Sequence, residues 1–257
     1  MYTQQQMNLL IPQRLVEIEK EYNIRILFAA EAGSRAAGTA TDSSDFDVRF
    51  LFLWSREDYL RLDAMPDSLK FPLEEGWDLV GWDLRKALAQ VHKGNPQLYE
   101  FLLSPVVYRD ADFSHRFLSL MKPRFAPWAA AQHYRGRLRT PMKHIPRDES
   151  LNVKHWLYAV QFTLDTQWVI DRRTAPPVNY RELMEAMLPR EFVPEVERLL
   201  RLKSDPRSES SPQPNRALWA WLKEQTLVLP RRIDQMPRDN QQDWDGLNQF
   251  FLEELRR

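Results

Sequence analysis

Residues 46–54 read FDVRFLFLW, and they constrain the fold more than any other stretch of the chain. Phe46, Val48, Phe50 and Phe52 alternate with Asp47, Arg49, Leu51 and Leu53. Successive strand residues point to opposite faces, so this period of two predicts a strand with one aromatic face turned to a core. IRILFAA (24–30) is rich in branched and aromatic residues and too short for a helix, which predicts a second strand. WDLVGW (77–82) predicts a shorter third, after which Asp83 can cap a helix in LRKALAQVHKG that Gly94 ends.

The rest of the chain is mostly helical in pattern. Leu15, Ile18 and Tyr22 stand three and four apart, predicting a first helix after Pro12 that Asn23 ends. NPQLYEFLLS begins another. Beyond about residue 110 the strands give way to helices: Val153, Trp156, Leu157, Val160, Leu164 and Trp168 share one helical spacing. APPVNYRELMEAM, EFVPEVERLLRL, RALWAWLKEQ and DWDGLNQFFLEELRR predict more, with a polar, Pro-rich loop at 203–215. The expectation is an α+β fold, a small mixed sheet with flanking helices (1–110) followed by a mostly α-helical region (111–257). No internal repeat is present, and a 43% hydrophobic fraction over 257 residues suffices for such cores.

Composition excludes several chemistries. The chain has no cysteine, which removes disulfides, zinc-thiolate sites and thiol catalysis. No apolar run nears the roughly eighteen residues that span a bilayer, and MYTQQQMNLLIPQ lacks the pattern of a signal peptide. A cytoplasmic protein without membrane contact is expected. Charge balances at 36 basic and 36 acidic residues, but Phe113–Arg147 contains no acid among Arg116, Lys122, Arg124, Arg135, Arg137, Arg139, Lys143 and Arg147.

The chemistry concentrates in GSRAAGTATDSSDFD (33–47). Gly33 and Gly38 have the spacing of a P-loop, but Thr39 and Ala40 stand where its lysine and hydroxyl belong. No G-x-G follows the strand, so a dinucleotide fingerprint is absent too. The ordinary alternative is a tight turn with solvated aspartates. Against it, Asp45 and Asp47 project from one face while Phe46 enters the core, and two such carboxylates repel unless a cation joins them. Hard divalent ions prefer such oxygen ligands. Gly33 admits close approach of a phosphate, and Ser34 adds N–H and hydroxyl donors.

G-S, ten residues, then D-F-D between apolar strands resembles the DNA polymerase beta-like nucleotidyltransferase superfamily. EAGSR with GWDLRKAL and NPQLYEFLLSPVVY is similar, more narrowly, to bacterial nucleotidyltransferases related to the RNA-ligase-associated, RNA-repair polymerase beta-like family. The likeness is clear over 24–108 and fainter through VKHWLYAVQFTLDTQWVI. It implies transfer of a nucleoside monophosphate from a nucleoside triphosphate, with ATP the expected nucleotide, to a hydroxyl with release of pyrophosphate. Asp45, Asp47 and a third carboxylate, Asp78, would hold Mg²⁺ or Mn²⁺. Gly33, Ser34 and Arg35 would bind the phosphates, and Lys154 and Tyr158 of a covering helical domain would meet phosphate and base.

The neighbours carry ordinary readings as well. Asp83 is the alternative third carboxylate, with a helix cap as its simpler role. Arg49 shares the face of Asp47 and could meet a phosphate or pair with a carboxylate. Glu31 reads as a strand-end residue, and Arg85 and Lys86 as basic residues of a solvated helix. Trp82 could line a base pocket. Lys154, Tyr158, Gln161 and Asp165 form a polar stripe, usually a solvated face. His92, His115, His133, His144 and His155 lack metal-ligand spacing.

The acceptor is open. HYRGRLR interleaves an aromatic among cations, so segment 113–147 could follow an RNA backbone; the same cations could instead pair with acids elsewhere. RNA is the preferred acceptor. The alternatives are AMP transfer to a protein or small-molecule hydroxyl, and a catalytically silent nucleotide-binding module.

Overall fold

The computed structural model describes residues 2–74, 76–145, 151–205, 207, 213, 215–239 and 243–257. α1 (Gln4–Tyr22) starts well before Pro12, a correction to the expected start. Thr3 and Gln6 form a reciprocal cap, each backbone N–H donating to the other's side chain (2.8 and 3.3 Å). Met7, Ile11, Leu15 and Ile18 then run as one fully buried stripe. Pro12 removes a helical donor from the Asn8 carbonyl, and Asn8 is exposed, where water can replace it. Asn23 ends the helix at φ 52, with its N–H on Glu19 O, as expected.

β1 (Ile24–Glu31), the turn α2 (Gly33–Ala36), β2 (Phe46–Trp54), α3 (Arg56–Tyr59), β3 (Ser68–Glu74), β4 (Trp77–Asp83), α4 (Leu84–His92), α5 (Gln97–Leu102), β5 (Val107–Asp110) and α6 (Ser114–Met121) follow. The five strands form one mixed sheet in the order β3-β4-β2-β1-β5. Among the described residues only the β2–β4 pair is parallel. Phe46, Val48, Phe50 and Phe52 are buried against the α1 stripe, as the alternation predicts. Burying each such side chain is worth about 1.5–3 kcal/mol. Gly81 lets Phe50 lie across β4, since a Cβ there would stand 2.3 Å from the ring.

Two strands were not foreseen. β3 contains Pro72, and β5 spans only four residues. Both are edge strands, where one side of the ladder is open and a proline is tolerated.

α7 (Pro127–His144), α8 (Val153–Arg172), α9 (Tyr180–Met187), α10 (Val193–Ser204), α11 (Arg216–Asp234) and α12 (Asp245–Arg256) complete the chain. It divides into two compact units, Met1–Phe125 with Gln241–Arg257, and Ala126–Asn240. Residue 110 ends β5, and α6 and α12 group with the sheet. In the first unit Arg116 pairs with the buried Glu254 of α12 (2.8 Å).

In the second unit α8 is central, packed by α7, α9, α10 and α11. Its polar stripe is not a solvated face: Lys154 is exposed, but Asp165 is 4% exposed. The buried Thr163 and Thr166 hydroxyls donate to Ala159 and Phe162 carbonyls one turn back (2.7 and 2.6 Å). Asp239 caps α7 by accepting the Trp128 and Ala129 N–H groups (2.9 and 2.8 Å). Arg147 lies outside the described residues, as do 206, 208–212 and 214 of the expected loop. No helix among the described residues is long and apolar enough to cross a membrane.

Candidate active site

The parallel register of β2 and β4 sets Asp47 beside Asp78. Antiparallel pairing places Glu31, the last residue of β1, opposite Val48 and so on the face of that buried side chain, at the same sheet end as the two aspartates. Gly33 faces them at φ +59, a left-handed conformation that costs glycine little. A Cβ at Gly33 would stand 2.4 Å from Asp47 Oδ2, so the turn must be bare here. Ala32 N–H donates to Asp47 O at 2.7 Å and locks the turn to the strand.

Between the two aspartates lies Arg49. Its Nη2 is 3.0 Å from Asp78 Oδ2 and 3.6 Å from Asp47 Oδ1. Nη1 donates to the carbonyls of Val48 (3.0 Å) and Asp78 (3.3 Å). Of the two sequence readings of Arg49, this is the pairing one. Asp45 precedes β2 and is exposed. It borders a cavity of about 610 Å³ that Tyr2, Gln6, Asp42, Ser43 and Ser44 also line. Among the described residues no three acidic or imidazole side chains converge as a finished cation site. The donor set nevertheless suits a hard divalent cation: the carboxylates are oxygen ligands, and two of them already share one positive group.

Glu31 was underrated by sequence reading. It is fully buried, accepts the Tyr108 hydroxyl at 2.5 Å and the Asp47 N–H at 3.1 Å, and so holds the head of β2. Burial pushes its carboxyl up to about 7, against the pull of Tyr108. The only sequence signal was an acid closing an apolar strand; its partner Tyr108 comes from the unforeseen β5.

Arg35 belongs to the turn α2 and reaches the loop before β2. Its Nε and Nη2 donate to the carbonyls of Asp45 (3.2 Å) and Ser44 (2.8 Å), and its guanidinium lies 3.4 Å from the Phe46 ring centroid. Ser34 belongs to the same turn, and its carbonyl accepts the Thr39 N–H at 2.8 Å. Asp83 is buried at the far end of β4, accepting from Arg85 N–H (2.8 Å) and the Tyr59 hydroxyl (2.7 Å). It caps α4, and burial raises its carboxyl above the usual range.

The sequence model of the RNA repair pathway DNA polymerase beta family matches residues 7–253. The chain belongs to that family. It is also 33% identical over 195 residues, 75% of each chain, to the uncharacterized protein YcgL of Bacillus subtilis (strain 168). The RNA repair pathway DNA polymerase beta family match includes both compact units, and with them every predicted site residue.

The remaining candidates of this family member divide by unit. In the first, Lys86 is engaged by Asp67 (2.9 Å) and lies over Trp82, while Arg85 lies over Tyr59. His92 stacks on Trp244 at 3.8 Å. In the second, Lys154 lies 5.9 Å from the Tyr158 ring, which stacks on Phe162. Arg137 covers the same Phe162 ring at 4.3 Å.

Proposed function

We propose that this member of the RNA repair pathway DNA polymerase beta family transfers a nucleoside monophosphate from a nucleoside triphosphate, with ATP expected, to a hydroxyl of RNA. The observation that carries the reading is the in-register pair Asp47 and Asp78 sharing a cation beside the bare Gly33 turn. Asp45, Asp47 and Asp78 would hold Mg²⁺ or Mn²⁺. Bound there, the metal supplies charge stabilisation for the attacking and leaving oxygens of an in-line displacement.

The chain's own groups do the positioning. Gly33 and Ser34 offer backbone to the β and γ phosphates, and Arg35 holds the loop that presents Asp45. The acceptor hydroxyl loses its proton to solvent as its oxygen bonds to the α-phosphorus, the bond to the α–β bridging oxygen breaks, and pyrophosphate leaves. The cavity beside Asp45 favours an uncharged hydroxyl end, since its described lining holds acids, hydroxyls and an amide. In the helical unit, Lys154 and Tyr158 are the groups suited to phosphate and base.

The test incubates wild type and Asp45→Ala/Asp47→Ala with each α-labelled nucleoside triphosphate, Mg²⁺ or Mn²⁺, and either small RNA or a protein extract. Label in RNA, lost in the variant, is the expected result. Label in a protein band moves the acceptor to protein. No transfer in any arm, with nucleotide binding unchanged by the double substitution, overturns the reading.

A further inference from the structure

Arg49 is held by four contacts, two to carboxylates and two to carbonyls, all at the site where the carboxylates face each other. Like charges side by side on neighbouring strands destabilise a sheet, and Arg49 cancels that repulsion without any bound ion. The three side chains remain about one-third exposed (28%, 37% and 34%). Ion pairs so exposed are weak enough to break. A divalent cation between Asp47 and Asp78 would meet the full charge of the guanidinium, so the two positive groups exclude each other.

We infer that Arg49 is a built-in counter-ion that occupies the cation's place between Asp47 and Asp78 and must be displaced before a divalent ion binds. The inference rests on the proposed metal-dependent reading of these carboxylates. Arg49 is here a positioning residue: it keeps the acids aligned before metal binds and holds down affinity for bare metal.

The experiment titrates Mn²⁺ into the full chain without nucleotide, reading free Mn²⁺ by electron paramagnetic resonance, and pairs this with thermal melts in chelator and in Mn²⁺. Arg49→Gln is expected to bind Mn²⁺ about tenfold tighter than wild type, about 1.4 kcal/mol. It should also melt lower in chelator and gain more from Mn²⁺. Arg49→Lys, which keeps the charge, should stay close to wild type. Adding Asp47→Asn to Arg49→Gln should erase the gain. Equal or weaker Mn²⁺ binding by Arg49→Gln, or a gain that survives Asp47→Asn, overturns the inference and leaves the proposed function standing. Absence of Mn²⁺ binding in every form overturns the inference, while the proposed function stands or falls on label transfer. Because Arg49→Gln can fail to fold, the wild type carries a second readout: the Arg49 side-chain resonance should be restrained without metal and mobile at saturating Mg²⁺. An unchanged resonance overturns the inference.

Discussion

The two units keep polar groups among apolar ones in opposite ways. In the sheet unit, Glu31, Asp47, Arg49 and Asp78 come from three strands and satisfy one another across strand pairs. In the helical unit, Thr163 and Thr166 of α8 turn back to their own helix, so the burial of these two hydroxyls asks nothing of other elements. A cross-strand cluster can lose a member and still leave charges free for chemistry. α8 instead satisfies these two hydroxyls within itself.

The largest effect expected from this contrast is at Asp47. Asp47→Asn should reduce label transfer by a factor on the order of 10² to 10³, as for removal of one preorganised charge-stabilising group. Its stability should change by no more than about 1 kcal/mol, because its ion pair is partly solvated. A matching collapse of both would mean the cluster is structural. Gly33→Ala comes next: a side chain at φ +59 costs about 1–2 kcal/mol, and its Cβ would push on Asp47, so the melting temperature and transfer should fall together.

In the helical unit the comparison can be tested with acid. Burial, and then the Arg137 charge, lower His133 from 6.5 to about 4. Between those values the unfolded chain binds the proton and the folded one does not, so stability is lost as pH falls from 6.5 toward 4. Urea midpoints at pH 7 and 5 should show that loss, and His133→Gln should reduce it. The smallest effect belongs to Lys154→Ala. Lys154 is exposed, so stability should move by less than about 0.5 kcal/mol. The KM for nucleotide should rise, by about tenfold at most, while kcat holds. A change in transfer as large as that of Asp47→Asn would erase the distinction between the units.

How much of this was legible in sequence depended on where each signal lay. FDVRFLFLW announced its buried face because aromatic alternation follows directly from the period of a strand. Asn23 and Asp83 were readable because caps are local chemistry. β3 and β5 were not, since edge strands need neither uninterrupted donors nor two buried faces. Pro12 misled, because a proline usually marks a helix start, while the Thr3–Gln6 cap and the stripe from Met7 carried the helix through it.

Local matters are written in the chain: which residues alternate, which cap, where glycine is placed before an acidic pair, and that there is no thiol. Tertiary structure alone decided that Asp47 neighbours Asp78, that Arg49 bridges them, and that Glu31 is buried under Tyr108. The physical reason is range: propensity, capping and alternation act within a few residues, whereas strand register is the joint outcome of every pairing in the sheet. Residues 47 and 78 have no local reason to meet, and only the assembled β2–β4 ladder gives them one.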